Sequence, residues 1–122
     1  DTVFIVSPLT SNLRLKKIDK KTKGFIYIVS RLGVTGARAS LESSTLSLIK
    51  RIRKFTEKPL CVGFGISKPE HVKAVIKAGA DGAIVGSAIV DLIAKNIDNK
   101  KKRLDKIDGY VKAMKNATKI KV

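Results

Sequence analysis

The chain has 122 residues and a mass of 13.3 kDa, and its 26 Lys+Arg against 10 Asp+Glu leave a formal net charge of +16. That length allows one domain, burying about 65% of the surface its unfolded chain would expose, and 43% hydrophobic with 30% charged residues is a globular composition, not a disordered or collagenous one. No apolar run approaches the roughly 20 residues that span a bilayer, no secretory leader pattern is present, and one Cys with one His excludes an internal disulfide and a Cys/His zinc cluster. The expectation is a soluble, cytoplasmic α/β domain with no metal and no membrane partner.

Four times the sequence repeats a short apolar run, a polar or glycine-rich turn and a helical pattern. The first unit is Thr2 to Val6, a turn from Ser7 to Asn12, and a helix from Leu13 to Lys21. The second is Phe25 to Val29, a long turn from Ser30 to Ser43, and a helix from Thr45 to Phe55. The third is Leu60-Cys61-Val62, the turn Gly63-Phe64-Gly65-Ile66, and a helix opened by Ser67-Lys68-Pro69-Glu70. There Ser67 and Glu70 have capping-box spacing, Pro69 suits a first turn, and Gly79 marks the end. The fourth is Gly82 to Val85, the turn Gly86-Ser87, and helices from Ala88 to Asn96 and Leu104 to Ala117. The strands are continuously apolar, as expected when both faces are covered, and their alternation with helices implies right-handed βαβ crossovers in a parallel sheet.

Four units in this length allot about 30 residues each, close to the ~31 of a (β/α)8 barrel of about 250 residues. Asp1 stands directly before the first strand unit with no initiator Met, which reads as a cut end. The expected fold class is therefore α/β, the second half (strands five to eight) of a TIM barrel, with residues 1–122 as a single (βα)4 half-barrel. A four-stranded flavodoxin-like sheet is the structural alternative.

The positive charge invites a nucleic-acid partner, but its distribution opposes one. Lysines and arginines recur in every presumed helix, at Lys16, Lys17, Lys20 and Lys21, then Lys50, Arg51, Arg53 and Lys54, then Lys100 to Arg103, alternating with apolar residues as solvated helix faces do. Aromatics are only 5%, so base-stacking platforms are scarce. An anionic small ligand or an acidic partner segment fits the charge as well.

Barrels often bind phosphate with the loops after strands seven and eight and the N-terminus of a short extra helix. The last two units supply suitable parts. Gly63-Phe64-Gly65 lets backbone approach a ligand, and Gly86-Ser87-Ala88 opens a helix whose amides and dipole receive an anion. Ser87 Oγ adds a further hydrogen bond. G-x-G alone is a weak signal, and neither G-x-G-x-x-G nor a P-loop is present in these turns. The loop after the second strand, at about 14 residues, exceeds the 2 to 6 of ordinary βα loops and suits a lid or binding segment.

At these residues the chain resembles a known family, the tryptophan synthase α chain. Ile26-Tyr27-Ile28-Val29-Ser30-Arg31-Leu32-Gly33-Val34-Thr35-Gly36-Ala37 resembles its Y-hydrophobic-hydrophobic-S-R-x-G-V-T-G-A segment, and Gly63-Phe64-Gly65-Ile66-Ser67 its G-F-G-I-S turn. Gly79 to Val90 is similar to its final strand and phosphate turn, and Pro8 to Ile18, with Thr10-Ser11 and Arg14, to its P-x-T-S…R…I segment. The resemblance runs in order along essentially the whole chain. It implies a (β/α)8 barrel that cleaves indole-3-glycerol phosphate to indole and glyceraldehyde 3-phosphate, and a β-chain partner that holds pyridoxal phosphate, the α chain having no cofactor of its own. It further implies that Gly36, Gly65, Gly86 and Ser87 bind the substrate phosphate, that Tyr27 and Phe64 line the glycerol and indole region, and that Thr35 sits in the loop that closes on substrate.

The family's two catalytic carboxylates lie in the N-terminal half, so the resemblance implies no catalytic residue in this chain. Retro-aldol cleavage needs an acid for the indole ring carbon and a base for the glycerol hydroxyl. The acids here do not suit. Asp1 and Asp81 precede strands, and Asp19, Glu42, Glu57 and Glu70 look exposed or capping. The chain alone is expected not to turn over substrate. Cys61, inside an apolar strand, reads as a small buried hydrophobe, His71 as a solvated residue, Asn12 as a helix cap, and Arg31 as a brace for the long loop or the partner of a carboxylate from the missing half. Open alternatives are a non-catalytic half-barrel that pairs with itself or with a complementary N-terminal half through its strand edges, and half of another phosphate-binding barrel such as indole-3-glycerol phosphate synthase or a phosphoribosyl isomerase, against which residues 30–37 argue.

Overall fold

A computed structural model of the chain describes residues 1–29 and 43–120. Among these, β1 (Phe4–Val6), β2 (Ile26–Val29), β3 (Leu60–Gly63) and β4 (Gly82–Ala83) form one sheet in the order β1-β2-β3-β4, with every neighbouring pair parallel. Between and after them run α1 (Asn12–Lys21), α2 (Ser43–Arg53), α3 (Pro69–Ala78), α4 (Ser87–Lys95) and α5 (Lys100–Asn116). Strands that follow one another in sequential order through right-handed crossovers put their helices on one face. A flavodoxin-like sheet reverses its order at a switch point and carries helices on both, so that alternative does not describe this chain.

Register separates the two faces. Val6, Ile28, Val62 and Ala83 form one row and Phe4, Ile26 and Leu60 another, and they turn toward the helices. Val6, Ile26, Ile28, Leu60 and Val62 are completely buried against Leu15 of α1, Leu48, Ile49 and Ile52 of α2, Val72 and Val75 of α3, and Met114 of α5. Burying each such side chain contributes roughly 1.5–3 kcal/mol. The alternate row, Ile5, Tyr27, Cys61 and Gly82, points the other way. Ile5 is 65% exposed, and Tyr27 and Cys61 are half-buried. The strands thus differ from the both-faces-covered expectation: helices cover one face, and the apolar residues of the other have no helix over them among the described residues.

Helix ends follow local chemistry. Ser11, not Asn12, caps α1, its Oγ accepting from the Arg14 amide at 3.3 Å. Gly79 ends α3 in the left-handed region at φ 117°. Asn99 caps α5 by accepting from the Lys102 amide at 3.0 Å, so the helix begins at Lys100, ahead of the expected Leu104.

One guanidinium ties together the N-terminal ends of β3 and β4. Arg53, the last residue of α2, donates Nε and Nη2 to the Gly79 carbonyl at 3.0 and 2.8 Å, and Nη1 to the carbonyls of Thr56 and Lys58 at 3.2 and 3.1 Å. Its Nη2 also pairs with Asp81 Oδ2 at 2.6 Å, and the same oxygen accepts from the Leu60 amide at 2.9 Å. Nearby, the buried Thr56 hydroxyl donates to Asp19 Oδ1. In barrels, side chains fixed at this end serve stability, whereas chemistry gathers at the opposite end.

Candidate functional site

The C-terminal ends of the strands carry the glycine-rich turns. Because β3 and β4 are parallel neighbours, joined beyond the strand by the Ile84 amide donating to the Val62 carbonyl at 2.8 Å, the turn after β3 and the turn after β4 emerge side by side. Sequence distance between Gly65 and Gly86 is thereby converted into adjacency at one end of the sheet.

The first turn is held at its base by Tyr27. Its ring leans along the open face of the sheet from β2 onto β3, and a Cβ built on Gly63 would collide with the Tyr27 ring and hydroxyl. Glycine at 63 is what lets the tyrosine lie there. Phe64 follows at φ 70° and Gly65 at φ 76°. A left-handed phenylalanine costs roughly 1–2 kcal/mol, and such strain persists only where the surroundings fix it. Phe64 is 47% exposed, whereas Ile66, two residues on, is buried in the core. A Cβ on Gly65 would meet nothing within 4 Å, so the backbone there faces open space.

The second turn starts α4. Gly86 is its N-cap with φ −126° and ψ −76°, its carbonyl accepts from the amides of Ile89 and Val90, and a Cβ on it would also meet nothing within 4 Å. Helix geometry gives the amides of Ser87 and Ala88 no intrahelical acceptor. They point along the positive end of the helix dipole. Ser87 is exposed at the same place. Tyr27, Phe64, Gly65, Gly86 and Ser87 are therefore gathered at one end of the sheet. Thr35 and Gly36, with Arg31, lie outside the described residues.

Two of the acids are bound at the opposite end, Asp81 by Arg53 and the Leu60 amide and Asp19 by Thr56. Glu57 is exposed, as are Glu70 on the first turn of α3 and Asp91 on α4. Among the described residues, no group of three or more His, Cys, Asp or Glu side chains could hold a metal ion, and no helix is long and apolar enough to cross a membrane. Burial, and secondarily the Asp81 carboxylate, push the Cys61 thiol up from its ordinary value, which keeps it protonated and a poor nucleophile.

Three supporting residues escaped the sequence reading. His71 is not solvated but buried, and its Nδ1 accepts from the amides of Ser67 and Lys68 at 3.2 and 3.3 Å. It fills the N3 role that spacing assigned to Glu70, with Lys68 at the N-cap. Tyr110 of α5 donates its hydroxyl to the Ser67 carbonyl at 2.8 Å. Arg51 reaches from α2 to Asn12 Oδ1 at 2.8 Å and to the carbonyls of Thr10 and Pro8 at 3.0 and 3.3 Å, fixing the turn after β1. The helical His at N3 after Pro69 was the one local signal available for any of them.

The tryptophan synthase alpha chain family profile matches residues 1–119. The chain belongs to that family. It is 47% identical over 117 residues to the tryptophan synthase alpha chain of Methanothermobacter thermautotrophicus, covering 96% of this chain and 43% of the relative. It is 54% identical over 98 residues to that of Methanocaldococcus jannaschii, covering 80% and 34%, and 43% identical over 117 residues to that of Arabidopsis thaliana, covering 96% and 42%. Among solved structures, a chain of the tryptophan synthase α2β2 complex from Pyrococcus furiosus matches with a TM-score of 0.79 at 37% identity, over 94% of this chain and 45% of that one. This tryptophan synthase alpha chain family member thus spans less than half the length of the relatives it matches. The four-stranded parallel sheet and its helices are the part of the family's fold in which the likeness lies.

Proposed function

We propose that this chain is the C-terminal half, strands five to eight, of a tryptophan synthase alpha barrel, a single (βα)4 unit that carries the phosphate site for indole-3-glycerol phosphate. The observation that carries the proposal is the adjacency of two backbone turns, Gly63 to Ser67 and Gly86 to Ala88, at the C-terminal ends of neighbouring parallel strands. Gly65 and Gly86 leave their backbones uncovered there, and the start of α4 directs amides and the Ser87 hydroxyl outward, the recurrent arrangement for a phosphate dianion. Tyr27 and Phe64 supply the apolar wall for the indole and glycerol.

Lyase activity, cleavage to indole and glyceraldehyde 3-phosphate in tryptophan biosynthesis, then belongs to a complete barrel. The acid that protonates the indole ring carbon and the base that takes the glycerol proton come from the complementary N-terminal half, where the family resemblance puts both catalytic carboxylates. Of the described carboxylates, Asp81 and Asp19 are held at the far end of the sheet. The open row of Ile5, Tyr27 and Cys61 and the two sheet edges are the surfaces that this half covers. The cytoplasmic partner that receives indole is the tryptophan synthase β chain, which holds the pyridoxal phosphate. The solved α2β2 complex of the Pyrococcus furiosus relative supports that assignment.

The test is complementation. The 122-residue chain is assayed for indole release alone and after mixing with the N-terminal half of a family relative. Activity only in the mixture is expected, and turnover by the chain alone would overturn the assignment of the acid and base to the other half.

A further inference from the structure

The turn that would hold the phosphate has a support of its own, and this inference rests on the proposed phosphate site. The Gly63–Ser67 segment is fixed at its start by Tyr27 over Gly63 and in its middle by the buried Ile66. At its end, the Ser67 residue is held through both backbone groups: its N–H donates to His71 Nδ1 at 3.2 Å, and its carbonyl accepts from the Tyr110 hydroxyl at 2.8 Å. His71 lies on the first turn of α3, and Tyr110 arrives from α5, 43 residues away in sequence. Between these fixed points lie only the two left-handed residues, Phe64 and Gly65.

We infer that His71 and Tyr110 are positioning residues for the substrate phosphate, acting through the Ser67 backbone. Packing alone does not require a tyrosine at 110, since a phenylalanine ring fills the same space against the core. What the hydroxyl adds is one hydrogen bond to one carbonyl, two residues from the Gly65 amide. His71 plays the matching part on the other side, because its Nδ1 also accepts from the Lys68 amide at 3.3 Å and so ties the turn to the start of α3. With both in place, the strained Phe64–Gly65 pair has one orientation. Losing either hydrogen bond lets the peptide rotate and disperses the Gly65 amide direction. An amide that must be reoriented on binding weakens the ligand by the energy of that ordering.

The experiment uses the 15N-labelled 122-residue chain and inorganic phosphate. Four proteins are compared: the parent, Tyr110→Phe, His71→Leu and His71→Gln, the last retaining a side-chain acceptor of the capping-box kind. Phosphate affinity read at Gly65, Gly86 and Ser87 is expected to fall about five- to tenfold in Tyr110→Phe and His71→Leu, the worth of one hydrogen bond, and to recover in His71→Gln. Hydrogen exchange of the Ile66, Ser67 and Lys68 amides should accelerate in the first two variants while the β2 amides keep their parental rates. A purely structural role would lower global stability without this local pattern. Parental exchange rates at the turn in both variants, or parental phosphate affinity with a loosened turn, would overturn the inference. If the parent chain does not bind phosphate, the proposed site fails, and the inference that these residues position a phosphate fails with it; loosening of the turn in that case marks the site, not the brace, as the point of failure.

Discussion

The phenol of Tyr27 lies across Gly63, in the space where any side chain at position 63 would begin. The two residues sit on neighbouring strands, with Tyr27 in register with Cys61 and Gly63 one step further along the same face. Alanine at 63 must therefore expel the ring. Gly63→Ala should destabilise the chain by about 1–3 kcal/mol, the usual cost of overpacking, measured by urea denaturation. In a Tyr27→Ala background the same substitution should cost far less, and equal costs in the two backgrounds would show that the ring and the glycine are not coupled.

Arg53 offers a contrast at the opposite end of the sheet. It satisfies the carbonyls of Thr56, Lys58 and Gly79 and pairs with Asp81, whose side chain is half open to solvent. The ion pair itself is worth little at such exposure; the stranded carbonyls matter more. Arg53→Ala should lower stability by about 2 kcal/mol and Asp81→Asn by about 1 kcal/mol or less, with no change in phosphate affinity for either. A selective loss of binding with unchanged stability would contradict the division between the two ends.

Gly65 and Gly86 differ in why they are glycine. Gly65 has φ 76°, so Gly65→Ala adds backbone strain of roughly 1 kcal/mol. Gly86 has negative φ and its Cβ direction is open, so Gly86→Ala should cost about 1 kcal/mol or less. Gly86→Leu should retain the fold, followed by circular dichroism, while abolishing the response to phosphate. Undiminished phosphate binding by Gly86→Leu would mean that the open space above α4 is not where the anion sits.

Alkaline pH gives a further check. Burial holds the Tyr110 hydroxyl above its ordinary value of 10.0. An acid whose folded value is raised keeps its proton in the native state after the unfolded chain has lost it, so stability is full below pH 10 and falls as pH rises beyond it. Cys61 acts in the same direction from its own ordinary value of 9.0 upward. The decline in stability between pH 9 and 11 should be shallower in Tyr110→Phe than in the parent, by thermal unfolding at matched ionic strength. An identical slope would show that the tyrosine does not contribute.

Much of the architecture was legible because the four units repeat one local grammar. Gly79, after the run Val72, Val75, Ile76 and Ala78, could only end a helix, and it does so at φ 117°. Pro69 opens α3 as a residue with no amide to donate should. Helix starts were less legible where polar candidates compete: Ser11 and Asn12 both cap well, and only the observed hydrogen bond to Arg14 chooses between them. The start of α5 was hidden because Lys100 to Arg103 has no apolar period and sits unfavourably at the positive end of a helix dipole. Apolar strands did not disclose which face the helices cover, since Phe4-Ile5-Val6 reads alike from either side. The long-range supports, Arg51 to Asn12, Arg53 to Gly79 and Tyr110 to Ser67, join residues 26 to 43 apart and follow from packing that no local pattern encodes.

The most direct measurement is a titration of the 15N-labelled chain with inorganic phosphate and with glycerol 3-phosphate at low ionic strength, followed at the amides of Gly65, Gly86, Ser87 and Ala88. A phosphate site formed by the two turns predicts saturable shifts at all four with a single affinity, and none at residues near Arg53 and Asp81. Unmoved resonances at Gly65, Gly86 and Ser87 in a folded sample, or shifts confined to the Lys100 to Arg103 surface, would contradict it.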